Sequence, residues 1–249
     1  MKPILICRDV KVQFDGFWAL QGADISVQEH DIHFLIGPNG AGKTTMLDII
    51  CGKTKPHSGE IVFQETAELT KVPEYQIAKM GVARKFQAPS VFSQLTVFEN
   101  IELAMKQKKT ILSLLMARMT REQRGRVIDI LKLIGLEEKR DAEAGSLSHG
   151  QKQWLEIGMQ LAMEPKLLLL DEPIAGMTGK ERDKTGALLE EIAKTCSVLI
   201  VEHDMEFVRS FSKKVTVMHE GRVLCEGSMD EITSNEEVAA VYLGRSGAS

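Results

Sequence analysis

The segment that most constrains the fold is GPNGAGKTT, Gly37 to Thr45, which lies between an apolar stretch and a helical pattern. It fits the phosphate-loop motif GxxxxGK followed by Ser or Thr. The glycines of this motif let backbone N–H groups approach phosphates, and the following helix adds its positive dipole end. In such a loop Lys43 reaches the β- and γ-phosphates and the Thr44 hydroxyl ligates Mg²⁺. The residues predicted to bind nucleotide here are Gly37, Pro38, Asn39, Gly40, Ala41, Gly42, Lys43, Thr44 and Thr45.

A second motif, LLLLDEP at Leu167 to Pro173, is an apolar strand pattern that ends in two carboxylates. Ligand-binding residues of α/β sheets collect at the C-terminal ends of the strands. We therefore predict that Asp171 binds the metal ion and that Glu172 polarises the water that attacks the γ-phosphate. The alternative is a solvated acidic turn after a core strand. The phosphate loop in the same chain argues against that alternative.

His203 follows the apolar stretch SVLIV, which a helical pattern separates from LLLLD. A strand, a helix and a strand in this order predict a parallel β-α-β unit. If the two strands are neighbours, the imidazole reaches the same sheet edge as Asp171 and Glu172. It can then donate a hydrogen bond to the γ-phosphate. A lone histidine is more often structural or simply exposed, and that is the alternative here.

Two further positions carry weaker signals. Gln87, in ARKFQAP, follows a short strand pattern where helical patterns begin, so its amide can contact both the metal ion and the attacking water. The alternative is a plain surface glutamine. Phe14, in VQFDGF, can stack on adenine, although a core or exposed aromatic is an equal alternative on the sequence alone.

The polar loop LSHGQ precedes a helical pattern that carries Trp154. Ser148 and His149 are adjacent in it, yet no nearby acid has a reason to orient them as a nucleophile and its base. A serine hydroxyl and backbone N–H groups at a helix start are instead suited to binding phosphate. His149 is the least explained residue of the loop, and we expect its backbone to contribute more to this binding than its imidazole.

The chain as a whole reads as an α/β protein with a phosphate-loop core and an inserted helical lobe. Residues 1 to about 63 show strand patterns, including the run ISVQEHDIHFLIG, with one helix from Lys43 to a stop at Gly52. The tail predicts a hairpin that turns at Glu220-Gly221 and then short helices. The predicted organisation is one domain over 1–249, with a core at 1–86 and 166–249 and a helical lobe at 87–165.

Composition excludes several classes of function. The formal net charge of -4 and the pI near 5.9 give no basic footprint for nucleic acid. The four cysteines lie far apart without a CxxC pair, which favours reduced thiols over a zinc site or disulfides. No apolar run approaches the ~20 residues that span a bilayer, and the N-terminal apolar run is too short for a signal peptide.

Taken in chain order, Phe14, GPNGAGKTT, Gln87, LSHGQ, LLLLDEP and His203 resemble the ATP-binding subunit of an ABC transporter. The resemblance implies the ABC ATPase fold, in which an antiparallel β subdomain accompanies the phosphate-loop core, with ATP and Mg²⁺ as ligands. It makes Phe14 the adenine-stacking aromatic, Gln87 the Q-loop and His203 the switch histidine. It also implies that Ser148, Gly150 and Gln151 bind the ATP of a second subunit, a related chain or a second copy, in a head-to-tail dimer. Two residues depart from the family pattern: His149 stands where Gly or Ser is usual, and Thr178 where the D-loop usually carries Asp.

Within the family the chain is similar to importer subunits for branched-chain amino acids and amides, through GVARKFQAPSVFSQLTVFENIELAM. The segments LSHGQKQWLEIGMQLA and DEPIAGMT resemble those of the urea-uptake member, so urea is the predicted substrate. The resemblance implies membrane permease partners, an indirect external substrate-binding protein and a place on the cytoplasmic face of the plasma membrane. The alternatives are a branched-chain amino acid importer, a lipopolysaccharide-type exporter, or a non-transport ATPase of iron–sulfur assembly or DNA repair. Missing coiled-coil heptads argue against the repair branch.

Overall fold

The computed structural model describes residues 2–85, 91–105 and 119–243. These residues form two compact units. The first unit comprises the described residues 2–84, 166–173 and 189–243, and the second comprises 85, 91–105, 119–165 and 174–188. Residues 174–188, which the sequence grouped with the core, thus cluster with the helical segment.

The first unit contains an antiparallel sheet of four strands in the order β2-β1-β4-β5. A two-residue turn at Asp15 and Gly16 joins its two long strands, and both turn residues have positive φ, as a tight hairpin requires. The sheet packs apolar side chains such as Leu5, Ile61 and Phe63 into the core of the unit. The strands are β1 (Pro3–Phe14), β2 (Phe17–Gln28), β4 (Ser58–Phe63) and β5 (Ala67–Glu68).

The second sheet of this unit has six strands in the order β10-β9-β3-β8-β7-β6. Strand β3 pairs in parallel with both β8 and β9, and β7 pairs in parallel with β8, as the predicted β-α-β unit requires. Every residue of β3, β7 and β8 is buried, which is typical of parallel strands covered on both faces. The strands are β3 (Ile32–Ile36), β6 (Val82–Lys85), β7 (Leu167–Asp171), β8 (Ser197–Val201), β9 (Lys214–His219) and β10 (Arg222–Gly227).

Two features of this unit differ from the sequence prediction. The run ISVQEHDIHFLIG is not one strand, because a turn with His30 at positive φ divides it between the two sheets. A seven-residue helix, Glu74–Met80, lies where no helix was predicted. It is too short to show helical periodicity, and it ends at Gly81 in the left-handed conformation.

Among the remaining helices of the first unit, those after the phosphate loop and after the C-terminal hairpin fall where the sequence predicted them, whereas the seven-residue helix Met205–Phe211 was not predicted. The helix after the phosphate loop begins at Lys43, and the C-terminal helices follow the hairpin that turns at Glu220-Gly221. Asp204 and Ser228 cap the N-termini of two of these helices with their side chains. The helices are α1 (Lys43–Ile50), α2 (Glu74–Met80), α7 (Met205–Phe211), α8 (Met229–Ser234) and α9 (Glu236–Leu243).

The second unit is helical in its described part, and each of its four described α-helices begins with a capping box. In this motif the N-cap hydroxyl accepts a hydrogen bond from the backbone N–H three residues later, and the side chain of that later residue accepts one from the N-cap backbone N–H. Gly158 lets these helices pack closely, since a β-carbon there would lie 2.7 Å from Ile134 and 2.9 Å from Ile101. The helices are α3 (Val97–Ala104), α4 (Arg121–Leu133), α5 (His149–Ala162) and α6 (Gly179–Ala193), which extends into the first unit.

No helix in the described ranges 2–85, 91–105 and 119–243 is long and apolar enough to cross a membrane.

Candidate active site

The phosphate loop connects the buried strand β3 to helix α1 and approaches neighbouring backbone closely. Gly37 lies at φ +146°, and a β-carbon there would collide with the Met218 carbonyl oxygen. Gly42, at φ +99°, precedes α1, and a β-carbon there would lie 2.6 Å from the Ala19 carbonyl oxygen. Only glycine satisfies both the conformation and the space at these two positions.

Lys43 curls back onto the loop that it follows. Its Nζ donates to the carbonyl oxygens of Gly37 at 2.8 Å and Pro38 at 3.0 Å, and the residue is 8% exposed. Asn39, Gly40 and Thr44 are exposed beside it, so the loop presents N–H groups and a hydroxyl to solvent. The structure therefore gathers a cation and polar groups at one end of β3, as the motif predicts.

Asp171 ends strand β7 as a buried carboxylate, with its side chain 1% exposed. Burial, the largest influence, raises the pKa of Asp171, while Thr44 and Arg84 favour the charged form and act against that rise. Neither carboxylate oxygen has a hydrogen bond of normal geometry to any described residue. A buried acid of this kind needs a cation to compensate its charge.

Glu172 and His203 meet at the sheet edge next to Asp171. The two residues follow the neighbouring strands β7 and β8, and His203 Nδ1 lies 3.5 Å from Glu172 Oε1. Glu172 has a left-handed backbone with φ +47°, which costs free energy for a residue with a β-carbon and is enriched at functional sites. The Glu172 N–H donates to the Val201 carbonyl oxygen at 2.9 Å, which anchors this conformation.

Arg84 is a buried cation that the sequence did not single out. Its guanidinium forms a short ion pair with Asp48 of helix α1, and its Nη2 lies 3.5 Å from Asp171 Oδ2. Its side chain is only 5% exposed. One side chain on β6 thereby connects the helix of the phosphate loop to the carboxylate at the end of β7.

Phe14 lies at the end of β1 beside the hairpin turn and is 47% exposed. It pairs across the hairpin with Phe17, which is 68% exposed. Ala19, two residues further along β2, is the residue whose carbonyl approaches Gly42. The hairpin thus brings an exposed aromatic pair to the region of the phosphate loop.

In the second unit, Ser148 is the N-cap of helix α5. Its hydroxyl accepts from the Gln151 N–H at 3.3 Å, and its own N–H donates to Gln151 Oε1 at 3.1 Å. Gln151 also accepts a hydrogen bond from Lys139 Nζ at 3.0 Å. The predicted position of this loop at a helix start is confirmed by the α5 boundary.

The His149 imidazole, whose role the sequence left unexplained, has a partner. Its Nε2 lies 3.1 Å from the carbonyl oxygen of Ala175, within hydrogen-bond distance. Gly176 packs against the same ring, since a β-carbon there would lie 3.4 Å from it. His149 therefore ties the start of α5 to the segment that follows Glu172 in the chain.

The structure brings together most of the residues predicted for the first unit, and it describes the loop 148–151 within the second unit. Gln87 lies outside the described residues. Sequence reasoning missed the pair of Arg84 with Asp48, although two adjacent cations at the end of the strand pattern GVARK were a signal for buried ion pairs. It also missed Glu181, although Thr178-Gly179-Lys180-Glu181 fits the T-x-x-E pattern of a capping box at a helix start.

Two family models match the chain. The model described as ABC transporter matches residues 20–175. The model described as branched-chain amino acid ATP-binding cassette transporter matches residues 222–248.

Similar proteins extend over nearly the whole chain. The high-affinity branched-chain amino acid transport ATP-binding protein LivG of Salmonella typhimurium is 36% identical, over 98% of both chains. The ADP conformation of MJ1267, an ATP-binding cassette of an ABC transporter, is 30% identical with a TM-score of 0.86, over 98% of this chain and all of that one (100%). The dimeric structure of MJ0796, a bacterial ABC transporter cassette, is 25% identical with a TM-score of 0.76, over 90% and 98% of the two chains.

The chain belongs to the ATP-binding subunits of ABC transporters. Within them it is an ATPase subunit of the branched-chain amino acid importer type, similar to LivG and to BraF. The predicted fold class and the predicted ATP hydrolase activity are confirmed by these matches.

Proposed function

We propose that ATP hydrolysis by this chain drives uptake of a branched-chain or similarly small apolar amino acid. The observation that carries the substrate class is the LivG likeness over 98% of both chains, together with the C-terminal match at residues 222–248. The sequence prediction preferred urea, and the relatives support its alternative instead. Urea is a second candidate, because LSHGQKQWLEIGMQLA and DEPIAGMT resemble the urea-uptake member.

Hydrolysis in this proposal uses the residues gathered at the ends of β3, β7 and β8. Lys43 neutralises the β- and γ-phosphates, and Glu172 accepts a proton from the attacking water. His203, 3.5 Å from Glu172, holds the γ-phosphate and orients the carboxylate. Phe14 stacks on the adenine, and Gln87 contacts the metal ion and the water, as the family resemblance implies.

The residues present fit Mg²⁺. Asp171 offers a buried carboxylate without a normal hydrogen bond, and Thr44 lies beside it. The described residues contain no cluster of three or more His, Cys, Asp or Glu that would form an all-protein cage. Mg²⁺ commonly binds through one or two protein oxygens together with substrate phosphates. When bound, the ion neutralises charge on the phosphates.

Replacing Arg84 by lysine should weaken metal use. A guanidinium reaches both Asp48 and Asp171, whereas an ammonium is a single point charge that does not span them. We expect the Mg²⁺ concentration for half-maximal ATP turnover to rise about tenfold, the usual order for losing a residue that supports a metal ligand. Binding of ATP in the presence of a chelator should stay unchanged. If the Mg²⁺ dependence of turnover is unaltered and ATP binds more weakly in the presence of the chelator, Arg84 serves only the phosphate loop.

The proposal includes a head-to-tail dimer with a second ATPase subunit, which is a related chain or a second copy. Ser148, Gly150 and Gln151 then bind the γ-phosphate of the ATP held by the other subunit, through a hydroxyl and the N-terminus of α5. The dimeric structure of MJ0796 supports pairing of two such cassettes by similarity. Because ATP binds the closed pair better than the open one, its hydrolysis releases the pair.

Ser148→Arg should distinguish the contribution of Ser148 to the other subunit's ATP site from the ATP binding of the chain's own phosphate loop. The large cation blocks the loop that faces the other subunit, while the chain's own phosphate loop is untouched. We expect ATP binding to persist and turnover to fall at least about 100-fold, the order seen when a positioned transition-state donor is removed. Ser146→Arg, an exposed serine two residues earlier, is the matched control. Equal turnover in both variants would contradict the role of Ser148.

Membrane permease subunits complete the proposed transporter. A substrate-binding protein outside the membrane would be an indirect partner of this chain. The chain would then lie on the cytoplasmic face of the plasma membrane. The test is to recover the tagged chain from detergent-solubilised membranes and identify what accompanies it. Integral membrane proteins are the expected companions, and ATP turnover should accompany the complex. Recovery with soluble assembly or repair factors alone would contradict a transport role.

A further inference from the structure

A carboxylate lies against two of the three residues that bind the other subunit's phosphate in the proposed dimer. Ser148 Oγ donates to Glu181 Oε1 at 3.4 Å. A β-carbon on Gly150 would lie 2.5 Å from the same oxygen, so Glu181 packs directly on the start of helix α5. All three residues belong to the second unit. A negative group thus already occupies the place next to the Ser148 hydroxyl.

Glu181 is held there by Thr178, the residue that departs from the family pattern. The Thr178 N–H and hydroxyl donate to Glu181 Oε2 at 3.0 and 2.8 Å, and the Glu181 N–H donates back to the Thr178 hydroxyl at 3.4 Å. This is a capping box at the start of α6. His149 adds a second tie, through Ala175, between the same two segments. The carboxylate therefore has little freedom to withdraw.

The carboxylate is anionic at neutral pH. The backbone N–H and the hydroxyl of Thr178 hold the pKa of Glu181 below its ordinary value, and Ser148 and His149 act in the same direction. Two anions at one hydroxyl repel each other. When a phosphate arrives, Ser148 must give up Glu181 as its acceptor.

We propose that Glu181 sets the ATP affinity of the site that this chain shares with its partner subunit, by competing with the γ-phosphate for Ser148 and repelling it. The inference rests on the proposed head-to-tail function. In the open state the carboxylate satisfies the hydroxyl. In the closed state it makes the phosphate easier to release, which favours reopening of the pair.

Glu181→Gln tests the charge and keeps the fold, because glutamine serves equally well at this position of a capping box. The protein used is the complex purified through its membrane partners, and the readout is the ATP concentration for half-maximal turnover. A unit charge a few ångströms from phosphate at an exposed site is worth about 1 kcal/mol, or about a fivefold change. We expect that concentration to fall about fivefold in Glu181→Gln.

Glu231→Gln is the matched control, since Glu231 forms the same capping box with Ser228 at 2.7 to 3.4 Å in helix α8. It should leave the half-maximal ATP concentration unchanged. Salt screening of charges supplies a second readout that a purely structural role would not change. At about 0.5 M salt, the difference in half-maximal ATP concentration between Glu181→Gln and the wild type should shrink below about twofold. An unchanged or higher concentration in Glu181→Gln, an equal shift in the control, or a salt-independent shift would overturn the proposal. If the wild-type complex has no ATP turnover, or if Ser148→Arg leaves that turnover unchanged, the proposed function is contradicted instead.

Discussion

Glu172→Gln is expected to lower ATP turnover by about 100- to 10,000-fold, the range for losing a positioned general base. The amide has the shape of the carboxylate but does not accept the proton of the attacking water. The phosphate loop and Lys43 are unaffected, so ATP should bind as tightly as in the wild type and accumulate in closed pairs. Phosphate release measures the first expectation, and equilibrium binding of labelled ATP measures the second.

The control for Glu172→Gln is Glu206→Gln, which removes the same charge from an exposed position in helix α7. Its turnover should match the wild type. Near-normal phosphate release by Glu172→Gln would show that Glu172 is not the base. Loss of ATP binding together with turnover would show that the left-handed backbone at Glu172 has a structural role instead.

The second large effect concerns stability. Lys85 Nζ and Glu156 Oε2 lie 3.3 Å apart in the second unit, and both side chains are only 2% exposed. Glu156→Leu leaves a buried ammonium without this partner, and we expect the free energy of unfolding to fall by about 3–5 kcal/mol. The double variant Lys85→Met with Glu156→Leu should recover most of that loss, because it buries no unpaired charge. Urea unfolding curves measure both changes.

An exposed pair gives the comparison. Lys194 and Glu191 are bridged at 2.6 Å, with side chains 65% and 55% exposed. Glu191→Gln should change the unfolding free energy by less than about 1 kcal/mol, since solvent screens such a pair. If Glu156→Leu were as mild as Glu191→Gln, the buried pair would not stabilise the unit.

Local patterns determined the parts of the fold that were predicted correctly. The apolar strand, the glycines of the phosphate loop and the helix after them all lie within residues 32–50, so their order in the chain predicts the local structure. The β-α-β unit around LLLLD and SVLIV is fixed in the same way by its apolar strands and its helix length. The turn at His30 was missed because the flanking strand patterns continue through it.

The parts of the candidate site that were missed depend on pairs distant in sequence. Arg84 meets Asp48 and Asp171, which lie 36 and 87 positions away, and Glu181 meets Ser148 across 33 positions. A single sequence does not show which acid a cation or a hydroxyl meets. The two departures from the family pattern, His149 and Thr178, acquire a physical account only when both are seen to hold the segment 175–181 against helix α5.

The most direct test of the central claim is uptake of labelled leucine and labelled urea by cells in which this chain is deleted and then restored. We predict that the wild-type chain and Glu206→Gln restore leucine uptake and that Glu172→Gln does not. Loss and recovery of urea uptake alone would replace the amino acid by urea as the substrate. If uptake of both leucine and urea is the same with and without the chain, the assignment of this chain as the ATPase of their importer is contradicted.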